Sequence, residues 1–320
     1  MDLNHSNTIL CDWIDKVQHY NLPTCYLDKF SQLCNQYGHT FELIDNALDS
    51  ERRDVVACVG NKFDDRSLEF LPKIEWVHFG SIGTDKIPEE LAKSRNLRIS
   101  NARGIFETAV ARHAFSLIFN STVEIKRPGK NFTRIKWEKT NPIKWTNLVF
   151  LILGSGYIAQ ELSGILEKFN ITNHILHRTK NEKNDGLLTH NDRLKFAHDK
   201  ICIINLLPGN NNDDFINEKY LSAFKDIYLY VNVGRDTTEN FGDIIKLMRA
   251  SRIHKATWDV IRDKTVVQAV KKEFGPRVLF TPHVASFNES HWDKSAHLAL
   301  FNLELFFQKR MNEMRNICYA

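Results

Sequence analysis

Near the centre of the 320-residue chain, an apolar run at 148–153 (Leu-Val-Phe-Leu-Ile-Leu) breaks off into Gly154-Ser155-Gly156-Tyr157-Ile158-Ala159. A short apolar run ending in glycine is the pattern of a buried strand, and the residues after it open a helix. The first glycine permits a tight turn, and the second keeps a side chain away from where a pyrophosphate meets the backbone. The small Ala159 lets the helix lie close against the strand. The helix N-terminus then offers its N–H groups to an anion. Alone, the pattern is equally that of an ordinary glycine turn before a core helix. Its position constrains more, because nearly half the chain precedes it and a partner domain must lie there.

Composition narrows the partners. The chain is 42% hydrophobic and 26% charged, an ordinary globular balance at a length that suits about two domains. Its 43 basic and 39 acidic residues leave a formal net charge of +4, spread along the sequence, which calls for no strongly charged partner. Between 126 and 145, Lys126, Arg127, Lys130, Arg134, Lys136, Lys139 and Lys144 are interleaved with Phe132, Trp137 and Trp145. Pro128, Gly129 and Pro142 interrupt that stretch, so a solvated loop with aromatic anchors is expected rather than a nucleic-acid surface. The six cysteines, at 11, 25, 34, 58, 202 and 318, form no CxxC pair and no metal-ligand spacing; reduced thiols and no metal are expected. The first residues lack a basic start leading into an apolar segment, and no apolar run nears the roughly 18 residues of a membrane span. A cytoplasmic protein with no membrane partner is expected.

Strands are expected at 8–11, 41–44, 55–59, 76–79 and 97–99, with amphipathic helices at 27–37 and 88–93, Gly38 stopping the first and Pro88 suiting the first turn of the second. Strands alternating with helices predict an open parallel α/β sheet in the first hundred residues. The segment 106–119 has helical periodicity and is expected to cross between domains. A second alternation follows, with strands at 148–153, 174–176, 201–204, 227–231 and 278–280, and the last forty residues read as helix returning to the first domain.

Some twenty residues beyond the glycine turn, at the end of the next strand, a dinucleotide domain usually carries an acid for the ribose 2′-hydroxyl. This chain has His177-Arg178-Thr179. A guanidinium and a hydroxyl suit a 2′-phosphate and no carboxylate is there to repel it, so NADP(H) is favoured over NAD(H).

An ordered series of motifs adds to this. Gly80-Ser81-Ile82-Gly83-Thr84-Asp85 and Val110-Ala111-Arg112-His113-Ala114 precede the turn; Asn205-Leu206-Leu207-Pro208, Asn232-Val233-Gly234-Arg235, Trp258-Asp259-Val260 and Thr281-Pro282-His283-Val284-Ala285-Ser286 follow it. Over about residues 74–300 the series resembles the D-2-hydroxyacid dehydrogenase family, most of all its glyoxylate and hydroxypyruvate reductase branch. The resemblance implies an α/β protein of two doubly wound parallel-sheet domains, a Rossmann-type NAD(P)-binding domain (102–289) inserted into a flavodoxin-like substrate domain (1–101 plus 290–320), with the substrate in the cleft and a homodimer as the assembly. It implies reduction of a small 2-keto acid to a D-2-hydroxy acid by hydride transfer. Backbone groups at Ser81, Ile82 and Gly83 would hold the substrate carboxylate, Arg235 would bind carboxylate and carbonyl oxygens, and His283 would be the acid/base. The cofactor would be bound by Gly154, Ser155, Gly156, Tyr157, Ile158, His177, Arg178, Thr179, Leu207, Pro208, Val233, Gly234, Asp259, His283 and Ser286, with Asp259 at the nicotinamide carboxamide. The chemistry agrees, since a 2-keto acid needs a cation for its carboxylate and a donor for the oxygen that gains charge.

Three positions depart from the family pattern. Lys264 stands where a glutamate usually supports the catalytic histidine, and an ammonium there lowers an imidazole pKa. Asp236 replaces the glycine after the arginine, where it could pair with Arg235 or repel an anion. Arg112 replaces a glutamate on the crossing helix. Asp263, one residue from the missing acid, would reach His283 only if the loop shifts. These departures leave a second reading open, a dinucleotide-binding protein that has lost turnover and acts in regulation or assembly.

Overall fold

The structure is a computed structural model that describes residues 7–13, 22–44, 48–84, 86–123, 143–177, 189–197, 199–209, 212–287 and 291–319. Most of the basic stretch, up to residue 142, and the pair Arg178-Thr179 lie outside the described residues. The chain forms two compact units, Met1–Phe106 with Asn288–Ala320, and Glu107–Phe287.

Unit 1 is built on β1 (Thr8–Cys11), β2 (Thr40–Leu43), β3 (Val55–Gly60), β4 (Trp76–Phe79) and β5 (Arg98–Asn101), with helices α1 (Thr24–Gln36), α2 (Glu89–Ser94) and α8 (His291–Phe307). The five strands pair in parallel in the order β2-β1-β3-β4-β5, the flavodoxin order. Successive side chains feed opposite faces: Ile9, Cys11, Val59 and Trp76 join α1 and α8 in one core, while Leu10, Cys58, Val77 and Ile99 fill the other. Burial on both faces explains why these strands read as continuous apolar runs. A sixth strand, β12 (Ile317–Tyr319), adds to β5 in antiparallel sense, so the sheet is not wholly parallel as expected. Three residues after a left-handed Asn316 (φ 58°) carry no periodic signal, and their partner lies some two hundred residues away.

Unit 2 holds α3 (Glu107–Val123), β6 (Val149–Leu153), α4 (Tyr157–Lys168), β7 (Asn173–Leu176), β8 (Lys200–Asn205), α5 (Glu218–Leu221), β9 (Asp226–Asn232), α6 (Phe241–Arg249), β10 (Ile253–Trp258), α7 (Val267–Phe274) and β11 (Val278–Phe280). All six strands are parallel, in the order β7-β6-β8-β9-β10-β11. A single parallel bridge from His177 to Thr189 continues the sheet beyond β7, a third strand reduced to one pair. With it the order begins 3-2-1-4-5-6, that of a Rossmann-type domain. The helix expected to cross between domains begins this unit: Ala111, Ala114 and Ile118, spaced at three and four residues, pack with Leu117 against Phe150, Ile152, Leu162 and Leu166. The sequence pattern does not predict β10, because His254 and Lys255 interrupt its apolar run. Both are half-buried, His254 Nε2 lying 2.9 Å from Asp226 Oδ1 and Lys255 Nζ donating to Ser121 O at 2.8 Å.

Candidate functional site

In unit 2 the chemistry-bearing residues stand at the carboxyl ends of parallel strands, where an open α/β sheet binds ligands. Gly154, after β6, takes φ +108°, and a Cβ on it would lie 3.0 Å from Leu206 O. Gly234, after β9, has the same neighbour from the other side, since a Cβ there would lie 2.7 Å from Leu207 O. The backbone at 206–207, after β8, thus passes between two glycines, and neither tolerates a side chain. Asn205 and Asn232, the last residues of β8 and β9, turn the chain alike: each Oδ1 accepts the N–H two residues on, Leu207 and Gly234, both at 3.0 Å. Neither asparagine is assigned a role by its motif. A buried Asn closing an apolar strand was the available signal.

Gly156 caps α4 with φ −71° and ψ −179°, which any residue adopts, and a Cβ there would meet nothing within 4 Å. Nothing among the described residues requires glycine at this position. The first turn of α4, with Tyr157 and Ile158, receives no side-chain cap, so its N–H groups lack the acceptor that such ends usually find. An open glycine face beside an uncapped helix start fits a dinucleotide pyrophosphate. Ser155 lies between the two glycines, its carbonyl accepting from Gln160 Nε2 at 3.3 Å. Leu207 and Val233 are buried behind this turn, while Pro208 is exposed and Ser286 half-buried. At the end of β7, His177 keeps a buried Nδ1 with no hydrogen-bond partner, next to the undescribed Arg178 and Thr179.

Asp259 follows β10 and is 2% exposed. Its Oδ1 accepts from Thr281 Oγ1 (2.5 Å) and Val284 N (3.0 Å), its Oδ2 from Ala285 N (3.1 Å), and His113 Nε2 on α3 lies 3.4 Å from Oδ1. Burial pushes this carboxyl up, but the His113, Thr281, Val284 and Ala285 donors outweigh it and hold the pKa at about 2. Asp259 therefore grips the two peptides that follow His283, whose φ of +57° is left-handed, a conformation that needs such over-determination in a residue with a Cβ. His113 and Thr281 join the site as partners of Asp259 that the motifs at 110–114 and 281–286 do not reveal.

His283 is exposed, yet protein crowding one side of the ring removes enough hydration to lower its pKa. Asp259 and Asp236 oppose that fall, while Arg235 and Lys264 add to it. Lys264 thus acts on the imidazole in the direction expected from the sequence. Asp263 does not take the place of the missing acid: its Oδ1 caps the turn Lys264–Val266 by accepting from Thr265 N (2.9 Å) and Thr265 Oγ1 (2.5 Å). Arg235 is half-buried, with Nη1 donating to Gly234 O at 3.0 Å, and it immediately precedes the turn Asp236–Thr238.

In unit 1, the loop after β4 uses its carbonyls internally. Ser81 O accepts Ala102 N (3.0 Å), Ile82 O accepts Asn101 Nδ2 (2.6 Å), and Gly83 O accepts Ser81 Oγ (3.0 Å). Among the described residues no acceptor takes the N–H groups of Ser81, Ile82 or Gly83, which leaves three backbone donors in a row, a set suited to a carboxylate.

The chain is similar to a glyoxylate reductase of Pyrococcus furiosus, 24% identical over 265 residues that span 79% of this chain and 78% of that protein. It is equally similar to a D-lactate dehydrogenase of Staphylococcus aureus, 24% identical over 276 residues, 78% of this chain and 82% of that one. In fold it resembles an NADPH-dependent glyoxylate/hydroxypyruvate reductase of Sinorhizobium meliloti, solved with NADP and malonate, at a TM-score of 0.79 and 21% identity over 97% of this chain and 96% of that chain. Residues 115–285, more than half of the chain, match the family described as D-isomer specific 2-hydroxyacid dehydrogenase, NAD binding domain, and the chain belongs to that family.

Proposed function

We propose that this protein reduces a small 2-keto acid to its D-2-hydroxy acid at the expense of a reduced nicotinamide dinucleotide. The observation that carries the reading is the convergence at the strand ends of unit 2: an uncapped α4 behind an open Gly156, Arg235 after β9, and His283 held by Asp259. The first turn of α4 and the 206–208 and 233–234 backbone would hold the dinucleotide, which when bound supplies the hydride. Arg235 pairs with the substrate carboxylate and polarises the carbonyl. His283, as imidazolium, gives its proton to the oxygen that gains charge. Purified protein supplied with NADPH and glyoxylate, hydroxypyruvate or phenylpyruvate should oxidise the cofactor, and no oxidation above a His283→Ala control overturns the reading.

The cofactor is assigned as NADP(H), on the guanidinium of Arg178 and the absence of a carboxylate in 177–179. Arg178→Ala should weaken NADPH binding by about 1.5–3 kcal/mol and leave NADH nearly unchanged, measured by titration of each; equal losses would contradict it. The assembly is a homodimer, supported by apolar surface on α3 and at the end of α4, where Phe119, Val123 and Phe169 are 40%, 38% and 58% exposed. Light scattering that returns a monomer would refute it. Lys264 acting on His283 favours the second reading, dinucleotide binding without turnover, which predicts a cofactor-dependent change of oligomeric size and no product.

A further inference from the structure

We propose that Glu239 is a positioning residue for Arg235: its buried carboxyl pins the segment 235–239 to the ends of β9 and β10 and so sets where the guanidinium meets the substrate. This rests on the role given to Arg235 above.

Glu239 is 5% exposed and closes the turn Asp236–Thr238 that begins directly after Arg235. Its Oε2 accepts from Tyr230 Oη at 2.5 Å and its Oε1 from Trp258 Nε1 at 2.8 Å. Tyr230 lies in β9, two residues before Asn232, and Trp258 ends β10 beside Asp259. One carboxyl thus ties the segment to both strands whose ends carry Arg235 and Asp259. The rest of the segment is held just as closely. Thr237 O and Thr238 O accept Asp214 N and Ile216 N, each at 2.9 Å, and Arg235 O accepts Thr238 Oγ1 (2.7 Å) and Asn232 Nδ2 (3.2 Å). The Thr238 hydroxyl in turn accepts Asn205 Nδ2 at 2.8 Å. An apolar side chain would fill the same volume without burying an ionisable group, so packing alone does not account for an acid here.

Charge adds a consequence. Burial drives the Glu239 carboxyl up to about 7 and Asp236 adds to the rise, against hydrogen bonds from Tyr230, Asn232 and Trp258. Tyr230, itself pushed well above its ordinary value by burial, and Asp236 are the titratable groups that face it. The anchor of the Arg235 segment therefore changes charge near neutrality, and substrate affinity should follow it.

The test compares wild type, Glu239→Gln and Glu239→Ala as full chains. It reads KM and kcat for glyoxylate, the dissociation constant of oxalate as a non-reducible mimic, and NADPH affinity, all across neutral pH. Glu239→Ala should raise KM and the oxalate constant about tenfold, equivalent to about 1.4 kcal/mol, with NADPH affinity within about twofold of wild type. Glu239→Gln, which keeps an acceptor and cannot ionise, should bind oxalate like wild type at acidic pH and lose the change in affinity centred near pH 7. If Glu239→Ala fails to fold, the Gln variant decides alone. The proposal is overturned if the Gln variant keeps the wild-type pH dependence, or if the Ala variant loses only active fraction with KM and oxalate binding unchanged. Oxalate binding without wild-type turnover would instead defeat the reductase reading and leave the oxalate comparison to judge Glu239.

Discussion

Two buried carboxyls sit at neighbouring strand ends of unit 2 and have been driven in opposite directions. Asp259 is held at about 2 and Glu239 at about 7, though Trp258, a donor to Glu239, is bonded in sequence to Asp259. Burial raises both. The difference is the donor set: Asp259 faces two backbone N–H groups, a hydroxyl and an imidazole, while Glu239 faces three side-chain donors and lies under the influence of the like-charged Asp236. Burial alone does not decide whether a buried acid is ionised. Donors that point at it do, and three of the four around Asp259, from Thr281, Val284 and Ala285, belong to the loop that carries His283.

The largest effect is expected at Asp259. Asp259→Asn keeps one acceptor oxygen and sets its NH2 against either the Val284 or the Ala285 N–H, and we expect a loss of about 3 kcal/mol in unfolding free energy by urea titration, with kcat/KM down on the order of a hundredfold. A stable, active Asn variant would show that the carboxylate does not hold the loop. Next comes the pH dependence of stability, which has opposite sign for the two acids. Asp259, depressed from 3.8 to about 2, contributes about 2 kcal/mol above its unfolded pKa that is lost as pH falls through 2. Glu239, raised from 4.5 to about 7, favours the fold below 4.5, and about 3 kcal/mol is lost as pH rises through 7. Wild type should therefore lose stability between acid and neutral pH relative to Glu239→Gln, and parallel curves for the two proteins would contradict the assignment. The smallest effect is expected at Lys264. Lys264→Glu removes one cation acting on His283 and should move the alkaline fall of kcat/KM for reduction upward by about half to one pH unit. An unmoved profile would mean that Lys264 does not act on the imidazole.

Much of the fold was legible because its strands are buried on both faces and bounded by turns: 148–153 before Gly154, and 278–280 before Thr281. β10 and β12 were not, since one carries His254 and Lys255 inside it and the other is a three-residue edge. The polypeptide motifs that bear Arg235, Asp259 and His283 could be read because each follows a strand end. The groups that hold them could not. Glu239 stands in the chain as an ordinary acid near other polar residues, and only the convergence of Tyr230 from β9 with Trp258 from β10 makes it an anchor. His113 precedes its partners Asp259 and Thr281 by well over a hundred residues, a separation at which one sequence carries no signal.

In the proposed reaction His283 delivers a proton while reduced nicotinamide delivers hydride. The most direct measurement is the pH profile of cofactor oxidation with glyoxylate for wild type and His283→Ala at saturating NADPH. We predict turnover by wild type that declines as pH rises through a lowered imidazole pKa, and a drop in kcat on the order of a thousandfold in the variant with cofactor binding retained. A variant that oxidises NADPH as fast as wild type, with the same profile, would contradict it.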